Sequence, residues 1–212
     1  MTIRSFAKDL IPPALLKIRR ILVEKFASKD RFFDGDDTLF KKYINHATVY
    51  GEYGVGSSTV WVHENVNCPI VSVDTDQNWI QNVKSKIGRR DHVNLKWVDL
   101  GEIGEWGRPK TYEKRENFYK YIDYIWSTDL KPDLILIDGR FRVCCFLTSL
   151  AQASPGAVII FDDYTNRPHY HVVEEFVRPD EFCGRQAKFT VPNSINRDLI
   201  LDAAKRFLYV MD

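Results

Sequence analysis

Hydrophobic positions along this chain fall into two alternating kinds of run. Five short stretches are rich in β-branched residues and apolar almost throughout: ATVYGEY (47–53), PIVSVDT (69–75), VNLKWVD (93–99), PDLILID (132–138) and GAVIIFD (156–162). Strands covered on both faces read this way. Between them lie SSTVWVHENV, QNWIQNVKSKI, NFYKYIDYIWS and RVCCFLTSLAQA, which are predicted helices long enough to serve as crossovers, the second stopping at Gly88 as helices often do. After the fifth strand, HYHVVEEFV is predicted helical. RQAKFTV and RFLYVMD are expected as two closing strands, and NRDLILDAA between them is ambiguous. The alternation predicts a doubly wound α/β fold, with a mostly parallel seven-stranded sheet and antiparallel strands at its C-terminal end.

The front of the chain follows a different pattern. In LIPPALLKIRRILVEKF (10–26), a Pro-Pro start precedes Leu15, Ile18, Leu22 and Phe26 at helical spacing, with Lys17, Arg20 and Glu24 elsewhere around the helix. Met1 to Arg31 holds eight Lys/Arg against three Asp/Glu, although the whole chain carries a net charge of only +1. The expected organisation is therefore a basic amphipathic helical extension over residues 1–40 and one domain over 41–212. The helix is expected to dock on the domain or on a second copy in a homodimer; the alternative is a peripheral contact with anionic lipid.

Composition narrows the classes. A chain of 212 residues, 44% of them hydrophobic, has material for one ordinary core. Its near-neutral charge gives no reason to expect a nucleic-acid partner. Cys68, Cys144, Cys145 and Cys183 form no C-x-x-C pair, and no signal peptide is read ahead of them, so they are expected reduced, in a cytoplasmic protein or one peripheral to the inner face of the membrane. No apolar run approaches the roughly 20 residues of a spanning helix.

In an open α/β sheet, ligands bind beyond the carboxyl ends of the strands. The residues there are Glu52 to Thr59, Asp74, Asp99, Asp138 to Arg142, and Asp162 to Tyr164. A single strand-end Asp is usually a turn or cap residue; five acidic positions on one rim ask for more. In EYGVGSST, Gly54-x-Gly56 opens a helix and Asp74 follows about 20 residues on, which suits a ligand whose ribose hydroxyls meet a carboxylate. Glu52 sits where a pyrophosphate would be repelled and an amino-acid ammonium group welcomed. That favours S-adenosylmethionine over a dinucleotide.

The run EYGVGSST, then SVDTDQNW, DLILIDGRFRVCC and GAVIIFDDY, resembles the class I S-adenosylmethionine-dependent methyltransferases, in particular their small bacterial methyltransferase-like branch, over about residues 45–190. The resemblance implies a Rossmann-like methyltransferase fold. It implies that Glu52, Gly54 and Gly56 line the methionine part, with Tyr53 and Ser58 in the same turn and Ser57 and Thr59 at the helix start. Asp74 would hold the ribose, Val98 and Asp99 would border the adenine, and Trp79 would cover the adenosine or simply pack.

A partial resemblance to macrocin-type sugar O-methyltransferases rests on Asp138-Gly139 and Asp162-Asp163. Those enzymes hold magnesium with an Asp-Gly-Asp and an Asp-Asp, and here Arg140 replaces one acid. A guanidinium opposes a cation, so Mg²⁺ on Asp138, Asp162 and Asp163 is the less favoured reading.

Arg140 and Arg142 at a helix start gain nothing from the helix dipole, so something acidic should hold them. With Arg167 and His169, they are expected to meet an anionic acceptor, beside Tyr164. Trp106 and Arg108, in the glycine-rich stretch after Asp99, are expected in a lid or a plain connector. The expected activity is O-methylation of a small-molecule or glycan acceptor, in the setting of polysaccharide biosynthesis, with Asp138, Asp163 or His169 as base and Arg140 replacing a metal's charge. Two alternatives remain: an NAD(P)-dependent oxidoreductase, disfavoured by the absence of a Y-x-x-x-K pair, and a non-catalytic cofactor-binding protein.

Overall fold

The computed structural model describes residue 33 and residues 36–88 and 91–212. The predicted helix at 10–26, with its lipid or docking role, lies outside the described residues. The first helix, α1 (Thr38–Ile44), straddles the expected boundary at 40/41 and buries Leu39, Phe40 and Ile44. Phe40 meets Phe33 and Tyr50 edge-on, at 5.4 and 5.7 Å between ring centres, so this helix belongs to the core of the domain that follows.

The five predicted strands form as β1 (Tyr50–Tyr53), β2 (Ile70–Asp74), β3 (Val93–Trp97), β4 (Leu134–Ile137) and β5 (Val158–Phe161), all parallel. Between them run α2 (Ser57–Asn65), α3 (Gln77–Ile87), α4 (Phe118–Asp123) and α5 (Arg142–Gln152). Asp76 caps α3 through the N–H groups of Asn78 and Trp79, and Gly88 ends it with a positive φ. The sheet order is β3-β2-β1-β4-β5-β7-β6. β6 (Glu181–Cys183) and β7 (Gln186–Thr190) close it as an antiparallel pair.

One sheet face, with Tyr50, Ile70, Leu134, Leu136 and Ile160, packs with Phe33, Phe40, Ile44 and Val62. The other carries Tyr53, Val71, Val73, Ile135, Ile137, Ile159 and Phe161 against α4 and α5. Every residue of α5 except Gln152 is buried. That helix lies between the sheet and α6 (Arg197–Arg206), which resolves the ambiguous NRDLILDAA as helix.

Two expectations change. The stretch HYHVVEEFV forms a 3₁₀ helix, Pro168–Glu175. RFLYVMD is no strand: β7 already has β5 and β6 on its two sides, so the segment after α6 runs irregularly across the domain, with Phe207, Leu208 and Met211 packed on the core. The strand that takes its place, β6, has only three residues.

Candidate functional site

Strand order reverses between β1 and β4, the place where open α/β sheets bind ligands. Gly54 and Gly139 meet there. Gly54 has φ +99°, and a Cβ on it would lie 2.8 Å from the Gly139 nitrogen. A side chain on Gly139 would strike the Tyr121 hydroxyl, which accepts a hydrogen bond from the Arg140 N–H at 3.1 Å. The two strand-end loops thus approach backbone to backbone, with nothing but glycine between them.

Asp74 ends β2 beside this junction. Its carboxylate accepts from the N–H groups of Val55 (2.9 Å) and Asp76 (2.7 Å), tying it to the glycine loop. Burial pushes its pKa up from 3.8 to about 7. Gly56 faces the Trp79 indole, whose Nε1 would lie 3.6 Å from a Cβ placed there. Beyond Asp74, the glycine-rich stretch after Asp99 folds into a small hairpin held by an Ile103–Pro109 bridge and a Gly104 N–H to Arg108 O bond of 2.7 Å. Thr75 Oγ1 donates to Gly107 O at 2.7 Å, docking the hairpin on the end of β2. Trp106, with φ +60°, is at its tip and 71% exposed. Trp106 and Arg108 therefore belong to the Asp74 side of the rim.

Other residues expected at the cofactor have different surroundings. Glu52 points into the core: Tyr50 Oη (2.9 Å), Ser72 Oγ (3.0 Å), Ser58 Oγ and Thr59 Oγ1 all donate to its carboxylate. Burial raises its pKa, partly offset by those hydroxyls. This leaves no face for an ammonium group, and Ser58 and Thr59 are spent on the same network. The Tyr53 side chain is likewise internal, donating to Ile122 O at 2.5 Å. Ser57 is exposed in the first turn of α2. Val98 is buried, and its N–H donates to Asp74 O at 3.0 Å. Asp99 is held by Lys114 and by the Gly101 N–H at 2.9 Å, and the Lys114 contact keeps its pKa low.

At the ends of β4 and β5, carboxylate oxygens of Asp138, Asp162 and Asp163 all lie within 4.8 Å of one another. That spacing could hold a metal ion, but three guanidinium groups sit on these acids. Arg142 contacts Asp138 (2.9 Å) and Asp163 (3.2 Å); Arg167 reaches Asp163 (2.8 Å). Arg185 grips Asp162 with two bonds of 3.1 and 2.6 Å and touches Asp163 at 3.2 Å. Three acids thus face three bases, and the donor set as arranged does not fit Mg²⁺. Burial works against charge on Arg142, yet Asp138 and its other neighbours outweigh this and hold its pKa high. Asp163, with φ +59°, is buried under the three arginines and so is not available as a base. Asp138 keeps 31% of its side chain exposed, and burial together with the Asp162 charge raises its pKa well above the ordinary range.

Arg140 is not in this cluster. Its Nη1 donates to the main-chain oxygen of Asp212 at 2.6 Å, and its Nε is buried without a hydrogen-bond partner. The guanidinium groups on the three acids are those of Arg142, Arg167 and Arg185, and Arg140, the residue expected to bring positive charge there, is not among them. Tyr164 is buried and its hydroxyl donates to Glu174 (2.8 Å), while His169 is exposed and meets Tyr170 at a tilt, 4.3 Å between ring centres. Sequence reasoning missed Arg185, which comes from the β6–β7 turn; no local motif marks it.

No protein-family model and no curated protein matches the sequence. Among solved structures, a methyltransferase-like protein from Silicibacter pomeroyi is 31% identical, with a TM-score of 0.71 over 81% of this chain and 92% of its own. A candidate O-methyltransferase from Klebsiella pneumoniae is 14% identical, with a TM-score of 0.50 over 90% of this chain and 96% of its own, and speaks to the fold alone. The seven-stranded order, the glycine junction with Asp74 beside it and the Silicibacter relative agree: the chain belongs to the class I S-adenosylmethionine-dependent methyltransferase superfamily.

Proposed function

We propose that the protein transfers a methyl group from S-adenosylmethionine to an oxygen of a small-molecule or glycan acceptor that carries an anionic group. The observation that carries this reading is Asp74, a strand-end carboxylate tied to the Gly54–Gly56 loop at the switch point of the sheet. There it can accept from two ribose hydroxyls. Gly56, with no side chain, lies next to the Trp79 indole, which is placed to flank an adenosyl group. Bound S-adenosylmethionine supplies an electrophilic methyl on a sulfonium sulfur.

The chain's own residues do the rest. Rate comes mainly from holding the nucleophile close and in line. Asp138, at the end of β4, is the best placed base, because part of its side chain stays exposed while burial and the Asp162 charge make its carboxylate more basic than usual. Arg142 fixes that carboxylate from one side and leaves its exposed part toward the cleft edge. Arg140 is the cation beside these acids that remains for an anionic acceptor, since Arg142, Arg167 and Arg185 are matched by Asp138, Asp162 and Asp163.

Calorimetry with S-adenosylhomocysteine and with NAD tests the reading. Binding of S-adenosylhomocysteine that Asp74→Ala weakens is expected; binding of NAD alone would turn the assignment toward an oxidoreductase.

A further inference from the structure

The segment that follows α6 does not leave the domain. It crosses the carboxyl edge of the sheet, and it is fastened on both sides. On one side, Tyr112 Oη donates to Tyr209 O at 3.0 Å, and the Tyr209 ring lies 6.1 Å from that of Phe118. On the other, the main-chain oxygen of Asp212 accepts from Arg140 Nη1 at 2.6 Å, and its carboxylate Oδ1 accepts from the Arg142 N–H at 3.1 Å. Leu208 and Met211 pack on the core between these anchors. At Asp212 a side-chain anion sits on the first N–H of α5, next to a guanidinium.

Three features mark that end as an anion site that Asp212 borrows. The Arg142 N–H has no partner within its own helix and takes an anion instead, Asp212 Oδ1, and the positive end of the α5 dipole favours negative charge there. Arg140 carries a buried Nε with no hydrogen-bond partner, so its guanidinium is incompletely matched. It also lies near a second guanidinium: burial first and the Arg142 charge next depress its pKa, a strain that an added anion relieves. The site adjoins Asp138 at the end of β4, where the acceptor must present its nucleophile.

We propose that Arg140 and the Arg142 N–H form the subsite for the acceptor's carboxylate or phosphate, and that Tyr209–Asp212 is a self-inhibiting strap whose Asp212 occupies it until the acceptor displaces it. The function of the displacement rests on the methyl-transfer reading; the competition itself does not. A tethered carboxylate acts at an effective concentration in the millimolar range, so it holds the site against dilute free anions and yields to an acceptor that adds contacts of its own.

Inorganic phosphate is the probe, titrated by calorimetry into the full chain, Asp212→Ala, Tyr112→Phe and the Asp212→Ala/Arg140→Ala double variant, with circular dichroism to confirm folding. Phosphate should bind Asp212→Ala about tenfold more tightly than the wild type, because the side-chain carboxylate on the Arg142 N–H is gone and only the neighbouring main-chain oxygen, now without that anchor, is left on Arg140. Tyr112→Phe loosens the opposite anchor and should move affinity the same way by a smaller factor. The double variant should lose the gain. Equal affinity in wild type and Asp212→Ala, including no binding by either, overturns the proposal, as does a double variant that binds like Asp212→Ala. S-adenosylhomocysteine is titrated in parallel: if it fails to bind while phosphate behaves as expected, the methyl-transfer reading falls and the strap stands.

Discussion

Replacing Asp74 by Asn should remove a pH dependence from both folding and cofactor affinity. Burial lifts the Asp74 pKa from 3.8 to about 7. Between those values the folded chain keeps a proton that the unfolded chain has lost. The unfolded state then binds fewer protons, so stability falls as pH rises across the window and levels off above about 7. A shift of about three units corresponds to about 4 kcal/mol between pH 4 and pH 8. Asp74→Asn has no such group. It turns one carboxylate oxygen into an NH₂ facing the N–H of Val55 or Asp76, a pH-independent cost of about 1–3 kcal/mol. Urea denaturation of both proteins at pH 5, 6, 7 and 8 reads the difference, in which other titrating groups cancel. The wild-type advantage should shrink by about 1.4 kcal/mol per pH unit up to pH 7. Ribose hydroxyls donate to the ionised form, so S-adenosylhomocysteine should bind the wild type up to about tenfold more weakly per unit below pH 7. The variant should show a flat profile and, at pH 8, a tenfold to hundredfold higher Kd, on the order of 1.5–3 kcal/mol. A pH-independent difference in stability would refute the buried-carboxylate argument, and an unchanged Kd at pH 8 would remove Asp74 from the site.

Gly139→Ala should destabilise by about 1–3 kcal/mol, read as a lower Tm, because its Cβ meets Tyr121 Oη and lies 2.8 Å from the Gly54 nitrogen; Tyr121→Phe in the same chain should recover part of the loss, and an unshifted Tm would contradict the close approach. Arg185→Ala strips the fully buried Asp162 of its ion pair and should cost about 3–5 kcal/mol by urea denaturation, with Asp162→Asn in the same chain restoring part of it; an equal cost with Asn at position 162 would mean that the ion pair is not what Arg185 contributes. Once an acceptor is in hand, turnover should survive EDTA and gain nothing from Mg²⁺, since Arg142, Arg167 and Arg185 already neutralise the three acids; strong Mg²⁺ stimulation would show that the arginines swing out to admit a metal.

The parallel strands were legible because both faces of the sheet are covered, and five apolar runs leave few other readings. The closing strands were harder for a physical reason. Residues 206–212 carry apolar side chains that look strand-like, but Phe207, Leu208 and Met211 find the core from irregular backbone. Strand β6 shows the converse: three residues, with Phe182 56% exposed, make a real edge strand without a hydrophobic signature. Its partner is chosen by the β7 edge it completes, a long-range fact that no window of sequence contains.

The site separates along the same line between local and long-range information. That Asp74 stands beside the glycine loop could be read from its distance along the chain, because both ends of that spacing lie in one β-α-β unit. Glu52 was misplaced by parity: it shares a strand face with Tyr50, and the register sets it opposite Ser72, so four hydroxyls close around it in the core. The arginines turn on one backbone angle. Phe141, at φ +54°, bends the chain between Arg140 and Arg142, sending Arg142 inward to Asp138 and Asp163 and Arg140 outward to Asp212. Because the inward cluster balances three acids with three bases, it has no charge to offer an acceptor. On the proposed reading, the positive charge for an anionic acceptor therefore falls to Arg140 and the start of α5, which now hold Asp212, the chain's own anion.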